Sequence, residues 1–132
     1  MPAKASDEAI AQFGPLLRFT RAYLKCALFT STNKSGEPLD RNHTIDDFTK
    51  RTTMRAVADC AEFRRYNDEL LAETEATDEQ NGHDFWLTRN RHGAGFWDRG
   101  YPAQLSKRLT DSAHAFGEQH ILPNEDGTLD LI

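Results

Sequence analysis

The chain has 132 residues, of which 38% are hydrophobic and 28% charged, with a formal net charge of −5 and a mean hydropathy of −0.70. That length and aromatic content suit one globular domain and exclude a disordered chain, while the acidic balance argues against tight duplex binding, which draws on phosphate neutralisation. No stretch approaches the roughly 20 apolar residues of a membrane span; the most apolar region, Leu16 to Phe29, is interrupted by Arg18, Arg21 and Lys25.

The N-terminal residues carry Asp7 and Glu8 and no apolar run. They do not read as a secretory signal, so the expected compartment is the cytoplasm. Residues 1–14 read as a flexible N-terminal extension of a single domain over 1–132, with a short turn over Ser6 to Phe13. Pro15 suits a first helical position, and Leu16, Phe19, Tyr23, Cys26 and Ala27 recur at spacings of three and four, which predicts a helix from Pro15 to Phe29. Thr30 to His43 is rich in Ser, Thr, Asn, Gly and Pro and reads as a loop.

Thr44 followed by Asp47 resembles an N-cap with an acid three residues on, opening a short helix through Phe48. Thr52 or Thr53 then caps a longer helix to about Ala72, with Val57, Cys60, Phe63, Tyr66 or Asn67, and Leu70 as its buried stripe. Thr74 to Gly82 reads as a loop or single turn. Phe85 to Thr88 and Gly95 to Trp97 are β-prone runs around a Gly- and Asn-containing connection, which predicts a hairpin turning near Asn90 to Gly93; a short helix over 83–90 is the competing assignment. Pro102 opens a helix with Leu105, Leu109, Ala113 and Phe116 on one face and Gly117 just past its end. The tail, with Asp126-Gly127 as turn and Pro123 at an edge position, reads as a terminal hairpin. The expected fold is therefore α+β, with three or four helices packed on a small antiparallel sheet made of two hairpins.

Cys26 and Cys60 lie in helical contexts and read as buried free thiols. The five histidines show no metal-ligand spacing, and neither a metal nor a cofactor is expected. Charge is unevenly spread. From Asp59 to Glu79 eight acids face only Arg64 and Arg65, whereas from His83 to Arg108 five basic residues face Asp84 and Asp98. This reads either as ordinary solvated faces or as a dipolar surface that orients a charged partner.

The segment from His83 to Gly100 is dense in chemistry: it holds both tryptophans, each in a Phe-Trp pair, with Arg89, Arg91, Arg99, His83, His92, Asp84 and Asp98. The string HDFWLTRNxHGAGFWDRG resembles a segment of small proteins of bacteriophages and related mobile elements. The resemblance extends through Tyr23 to Leu28, Gly36 to Asp40, Thr44 to Asp47 and the Asp126-Gly127 turn, and so covers nearly the whole chain. In such proteins the position of Arg91 is more often Gly, and that departure argues against a left-handed turn residue there. The resemblance implies an origin as a phage or mobile-element accessory protein, and no particular biochemical activity.

Three readings of the segment stand side by side. In the first, Phe85, Trp86, Phe96 and Trp97 fill the core while Asp84 and Asp98 pair with Arg89 and Arg99. In the second, Trp86 and Trp97 with Arg89, Arg91 and Arg99 form a stacking and phosphate-contacting surface for single-stranded nucleic acid, extended by Lys107 and Arg108. In the third, His83, His92, Asp84 and Asp98 form an acid–base site, with Arg89 or Arg91 holding a phosphate. No nucleophile motif, phosphate loop or dinucleotide fingerprint accompanies them, so an enzyme is the less expected outcome. The function expected of the chain is to bind a macromolecular partner, a host or defence-system protein. The acids Glu69, Glu73 and Glu75 would mimic a phosphate array there, by analogy with anti-restriction and anti-CRISPR proteins.

Overall fold

The computed structural model describes the backbone of residues 7–132 and the side chains from residue 13 onward. Among the described residues there are five α-helices, α1 (Asp7–Thr30), α2 (Lys50–Tyr66), α3 (Asp68–Glu73), α4 (Asp78–Arg89) and α5 (Ala103–His114), and two short strands, β1 (Ile121–Pro123) and β2 (Leu129–Leu131). The α+β class holds, but with more helices than expected and a single two-stranded antiparallel sheet. No described helix is long and apolar enough to cross a membrane.

Helix α1 begins ahead of Pro15, which lies inside it. The ring removes one amide donor and the helix runs on with one hydrogen bond fewer. Of the N-terminal extension expected over 1–14, residues 1–6 lie outside the described residues and 7–14 belong to α1. Thr44 and Asp47 form the anticipated capping box, although it opens only a 3-10 turn over Ile45–Asp47. The cap of α2 is Thr49, whose hydroxyl accepts from the Thr52 amide, rather than Thr52 or Thr53. That helix stops at Tyr66 because Asn67 leaves helical geometry, and its side-chain amide donates to the Phe63 carbonyl at 2.9 Å and to Ser112 Oγ at 2.8 Å. The break turns Tyr66 outward and Asn67 inward.

The largest departure lies at 78–98. Thr77 caps α4 through the Gln80 amide, so part of the expected 74–82 loop is helix, and Phe85 to Thr88 is helix rather than strand. The competing helical assignment over 83–90 was the correct one. Asn81, Gly82 and every residue from Asp84 to Arg89 are buried. A helix enclosed on all sides shows a continuous buried run in place of an amphipathic stripe, and such a run looks like a strand. Past it, Arg91 adopts a left-handed φ of 56° despite its side chain. Gly95 then leads into a 3-10 turn over Phe96–Asp98, so no hairpin forms here.

Helix α1 lies against α4, and Gly82 is where they meet. A Cβ on Gly82 would sit 2.0 Å from the Phe19 carbonyl oxygen, so only glycine permits this approach. The core continues through Phe63 stacked on Phe85 at 4.1 Å between ring centroids and Phe116 edge-on to Phe85 at 5.1 Å, an arrangement favoured by the ring quadrupoles. Phe96, Leu105, Leu109, Leu129 and Leu131 complete it. The terminal hairpin forms as expected, with Ile121 opposite Leu131 and Pro123 opposite Leu129. Asp130 fixes it to α2: its Oδ1 accepts from the hydroxyls of Thr49 and, at 2.7 Å, Thr52, while Oδ2 accepts from Asn124 at 3.0 Å.

Two outcomes follow from these contacts. In an exposed helix Gly→Ala stabilises by about 1 kcal/mol, whereas Gly82→Ala should destabilise by about 3 kcal/mol in chemical unfolding, because backbone has to move. The hydrogen bonds from Thr49, Thr52 and Asn124 hold the Asp130 carboxyl down at about 2, against about 3.9 for an unfolded aspartate. Its contribution is complete above about pH 4 and is lost as pH falls toward 2. Thermal melts of Asp130→Asn should therefore show a flatter stability profile across that window than the parent.

Candidate functional site

The last turn of α4 places Arg89 in the interior at 3% exposure. Its Nε donates to the Gly117 carbonyl at 2.8 Å and Nη2 to the Phe116 carbonyl at 2.9 Å. Nη1 donates to the Tyr23 hydroxyl and to Asp59 Oδ2, both at 2.9 Å. The guanidinium also stands 5.7 Å from the centre of the Phe85 ring and 5.6 Å from that of Phe116. Trp86 is likewise internal, its indole N–H donating to Thr30 Oγ1 at 2.9 Å. These two residues are therefore interior and do not contribute to the stacking and phosphate-contacting surface considered for nucleic acid. Arg91 and Trp97 are exposed, Trp97 at 52%.

The four residues grouped as an acid–base site are divided. His92 lines a hollow with Asn90, Gln119 and His120, and His83 lines clefts on another part of the surface with which that hollow shares no residue. Asp98 accepts from the Gly95 amide at 3.0 Å and closes the 3-10 turn. Only His83 and Asp84 are adjacent. The anticipated ion pairs are partly exchanged: Arg99 takes Asp84, with Asp98 farther off at 3.8 Å, while Arg89 takes Asp59.

Asp84 has no exposed surface. Arg99 donates through Nε at 3.1 Å to Oδ2 and through Nη2 at 2.6 Å to Oδ1, and Gln80 adds a bond at 3.1 Å. Burial acts to raise the carboxyl's pKa, but contact with His83, Arg99 and Gln80 outweighs it and holds Asp84 below the usual carboxylate range. His83 Nδ1 faces Asp84 Oδ1 at 3.7 Å, beyond hydrogen-bond length, and is enclosed without a partner. The side chain is nevertheless 39% exposed, so its open edge is the opposite one, which carries Nε2.

That edge stands where two clefts of 580 and 680 Å³ meet, and Arg21 and Lys25 of α1 line both. Arg18 at the outer wall is engaged by Asp78 at 3.1 Å and Glu79 at 3.6 Å, whereas Arg21 and Lys25 make no ion pair among the described residues. Sequence reading had used these residues only to exclude a membrane span. The one signal they offered was their spacing of four on a helix face otherwise exposed.

Among the described residues no three His, Cys, Asp or Glu side chains are grouped to hold a metal ion. Cys26 and Cys60 are buried and unpaired. Burial pushes the Cys26 thiol up to about 12 and Cys60 higher still, so neither is a thiolate at neutral pH.

The acidic stretch also divides. Asp59 is committed to Arg89, Asp78 to Arg18 and Arg64, and Glu79 to Arg18. Glu69, Glu73 and Glu75 are exposed and make no ion pair among the described residues. They follow Tyr66, 65% exposed, with the Arg65 guanidinium 5.1 Å from its ring centre. Glu69, Glu73 and Tyr66 line one shallow hollow with Arg65 and Arg108, and Glu75, at φ 57°, lines the next. No protein-family model, curated protein or solved structure matches the chain.

Removing Arg99 leaves a buried carboxylate without its cation. Arg99→Ala should cost about 3 kcal/mol in urea unfolding. Adding Asp84→Asn should restore a substantial part, because the neutral amide carries no unpaired charge. A double variant as unstable as the sum of the two singles would show that the pair is not coupled.

Proposed function

We propose that the protein acts by binding a macromolecular partner, a host or defence-system protein, through the corner where α2 passes into α3. The observation that carries this reading is an exposed tyrosine set beside carboxylates that make no ion pair among the described residues, in a hollow that Arg65 and Arg108 also line. Asp59, Asp78 and Glu79 of the same stretch are consumed by Arg89, Arg18 and Arg64, while Glu62 and Asp68 are also exposed and make no ion pair among the described residues. Glu69, Glu73 and Glu75 keep their charge in solvent next to Tyr66. A half-rigid aromatic anchor with a charged rim is the anatomy of a protein interface, and a negative rim selects a basic partner and accelerates encounter with it.

A basic surface of this kind is what a nucleic-acid-processing protein presents to phosphates, and a row of carboxylates competes for it. This agrees with the resemblance of the 83–100 segment to phage and mobile-element proteins, whose site of action is the host cytoplasm. The internal placement of Arg89 and Trp86 weighs against direct single-strand binding, and the separation of His92 and Asp98 from His83 weighs against the acid–base site.

Charge reversal tests the proposal. Capture from host cells should recover a basic partner with the parent protein. The triple variant Glu69→Lys, Glu73→Lys, Glu75→Lys and the single variant Tyr66→Ala should each bind it at least roughly tenfold more weakly. All four side chains are exposed, so melting temperatures should stay within about 3 °C of the parent. Equal recovery by parent and triple variant would remove the α2–α3 corner from consideration.

A further inference from the structure

The two clefts that meet at His83 carry charge and shape that the α2–α3 corner does not use. We infer that they bind a small organic phosphate of nucleotide size, with the phosphate between Arg21, Lys25 and His83 and the organic part over the floor formed by Leu28, Phe29 and Ile45.

Arg21 and Lys25 are one helical turn apart, project from the exposed face of α1 and line both clefts. The nearby carboxylates Asp78 and Glu79 are already engaged by Arg18, so two cationic groups face this opening with no ion pair among the described residues. His83 supplies the third contact. Its Nδ1 is sealed against buried Asp84 and its open edge faces the clefts. An imidazole N–H on the open edge donates toward a phosphate in front. Arginine and lysine on either side match the spread charge of a phosphate.

The second cleft says what the phosphate is attached to. Its floor is apolar, and Phe29, 63% exposed, offers a ring face on which a flat base can stack. Asp40 and Asp46 also line this cleft, and carboxylates accept from sugar hydroxyls and ring amines. At 580 and 680 Å³ each cleft lies within the few hundred to about 1,000 Å³ that small-molecule ligands occupy. Asp40 and Asp46 line the second cleft beyond the cationic stretch, whereas Glu79 at the first is engaged by Arg18. A nucleic-acid strand continuing past the second cleft would meet those two carboxylates, which favours a mononucleotide.

Amide NMR titration of the full chain tests this, with the common ribonucleoside monophosphates, the matching nucleosides, inorganic phosphate and a thymidine oligonucleotide as separate probes. At least one monophosphate should shift the amides of 21–29, 44–46 and 83, and bind at least roughly tenfold more tightly than its nucleoside or inorganic phosphate. Arg21→Ala and Lys25→Ala should each weaken that binding about tenfold with unchanged melting, since both side chains are exposed and unpaired in the described structure. The inference is overturned if no monophosphate shifts these amides at millimolar concentration. It is equally overturned if nucleoside or phosphate alone binds as well, if the oligonucleotide binds more tightly than every monophosphate, or if the two substitutions leave affinity unchanged.

Discussion

Arg89 carries a full positive charge into a space walled by the rings of Phe85 and Phe116, and the fold has to answer its donors one by one. Tyr23 of α1, Asp59 of α2 and the two carbonyls that follow α5 do so together. An arginine this enclosed loses several kcal/mol of hydration, which is recovered only when all of these partners are present at once. The side chain thus makes the positions of α1, α2, α4 and the end of α5 mutually dependent. Lysine could not replace it, because a single ammonium does not span a phenol, a carboxylate and two separated carbonyls.

Asp84 is the counterpart five residues earlier on the same helix. Asp84 stands mid-helix and Arg89 in the last turn of α4, where the helix dipole favours a cation. Each is matched by a charge from another element, Arg99 for Asp84 and Asp59 for Arg89. From Asp84 to Arg89 helix α4 is therefore a buried rod with an ion at either end. The segment's density of aromatics and charges follows from that position, since a helical stretch enclosed on every side has to present either apolar bulk or a satisfied polar group in each direction.

This also decides what could be read from the sequence. Elements with one wet face were legible: the α5 stripe of Leu105, Leu109 and Ala113, the Phe19 and Tyr23 face of α1, and the terminal hairpin announced by Asp126-Gly127. Helix α4 was not, because Phe85 to Thr88 is buried without interruption and periodicity carries no information there. Asn67 defeated the α2 boundary for a different reason. Its side chain caps the helix from within the run, with help from Ser112 far along the chain. Of the candidate site residues, His83 and Asp84 were recognisable as neighbours. Which arginine each acid would take was not, since Asp59 and Arg89 meet only through tertiary packing. Arg21 and Lys25 were not recognisable either, because the clefts they line are completed by residues from Asp40 to Asp46 and by His83.

Counting charge along the chain therefore misplaces it in space. Of the five basic residues from His83 to Arg108, Arg89 and Arg99 are spent on Asp59 and Asp84, and Arg91, Lys107 and Arg108 stay at the surface. Exposed cations stand on α1, α2 and α5, those of α1 beside the clefts, while Glu69 and Glu73 of α3 and Glu75 just past it remain in solvent. Burial cancels charges pairwise across distant segments, and only the remainder reaches solvent. In the readings proposed above, a partner and a ligand meet that remainder, the carboxylates beside Tyr66 and the cations beside His83. Of the conspicuous segment from His83 to Gly100, only His83 belongs to either surface.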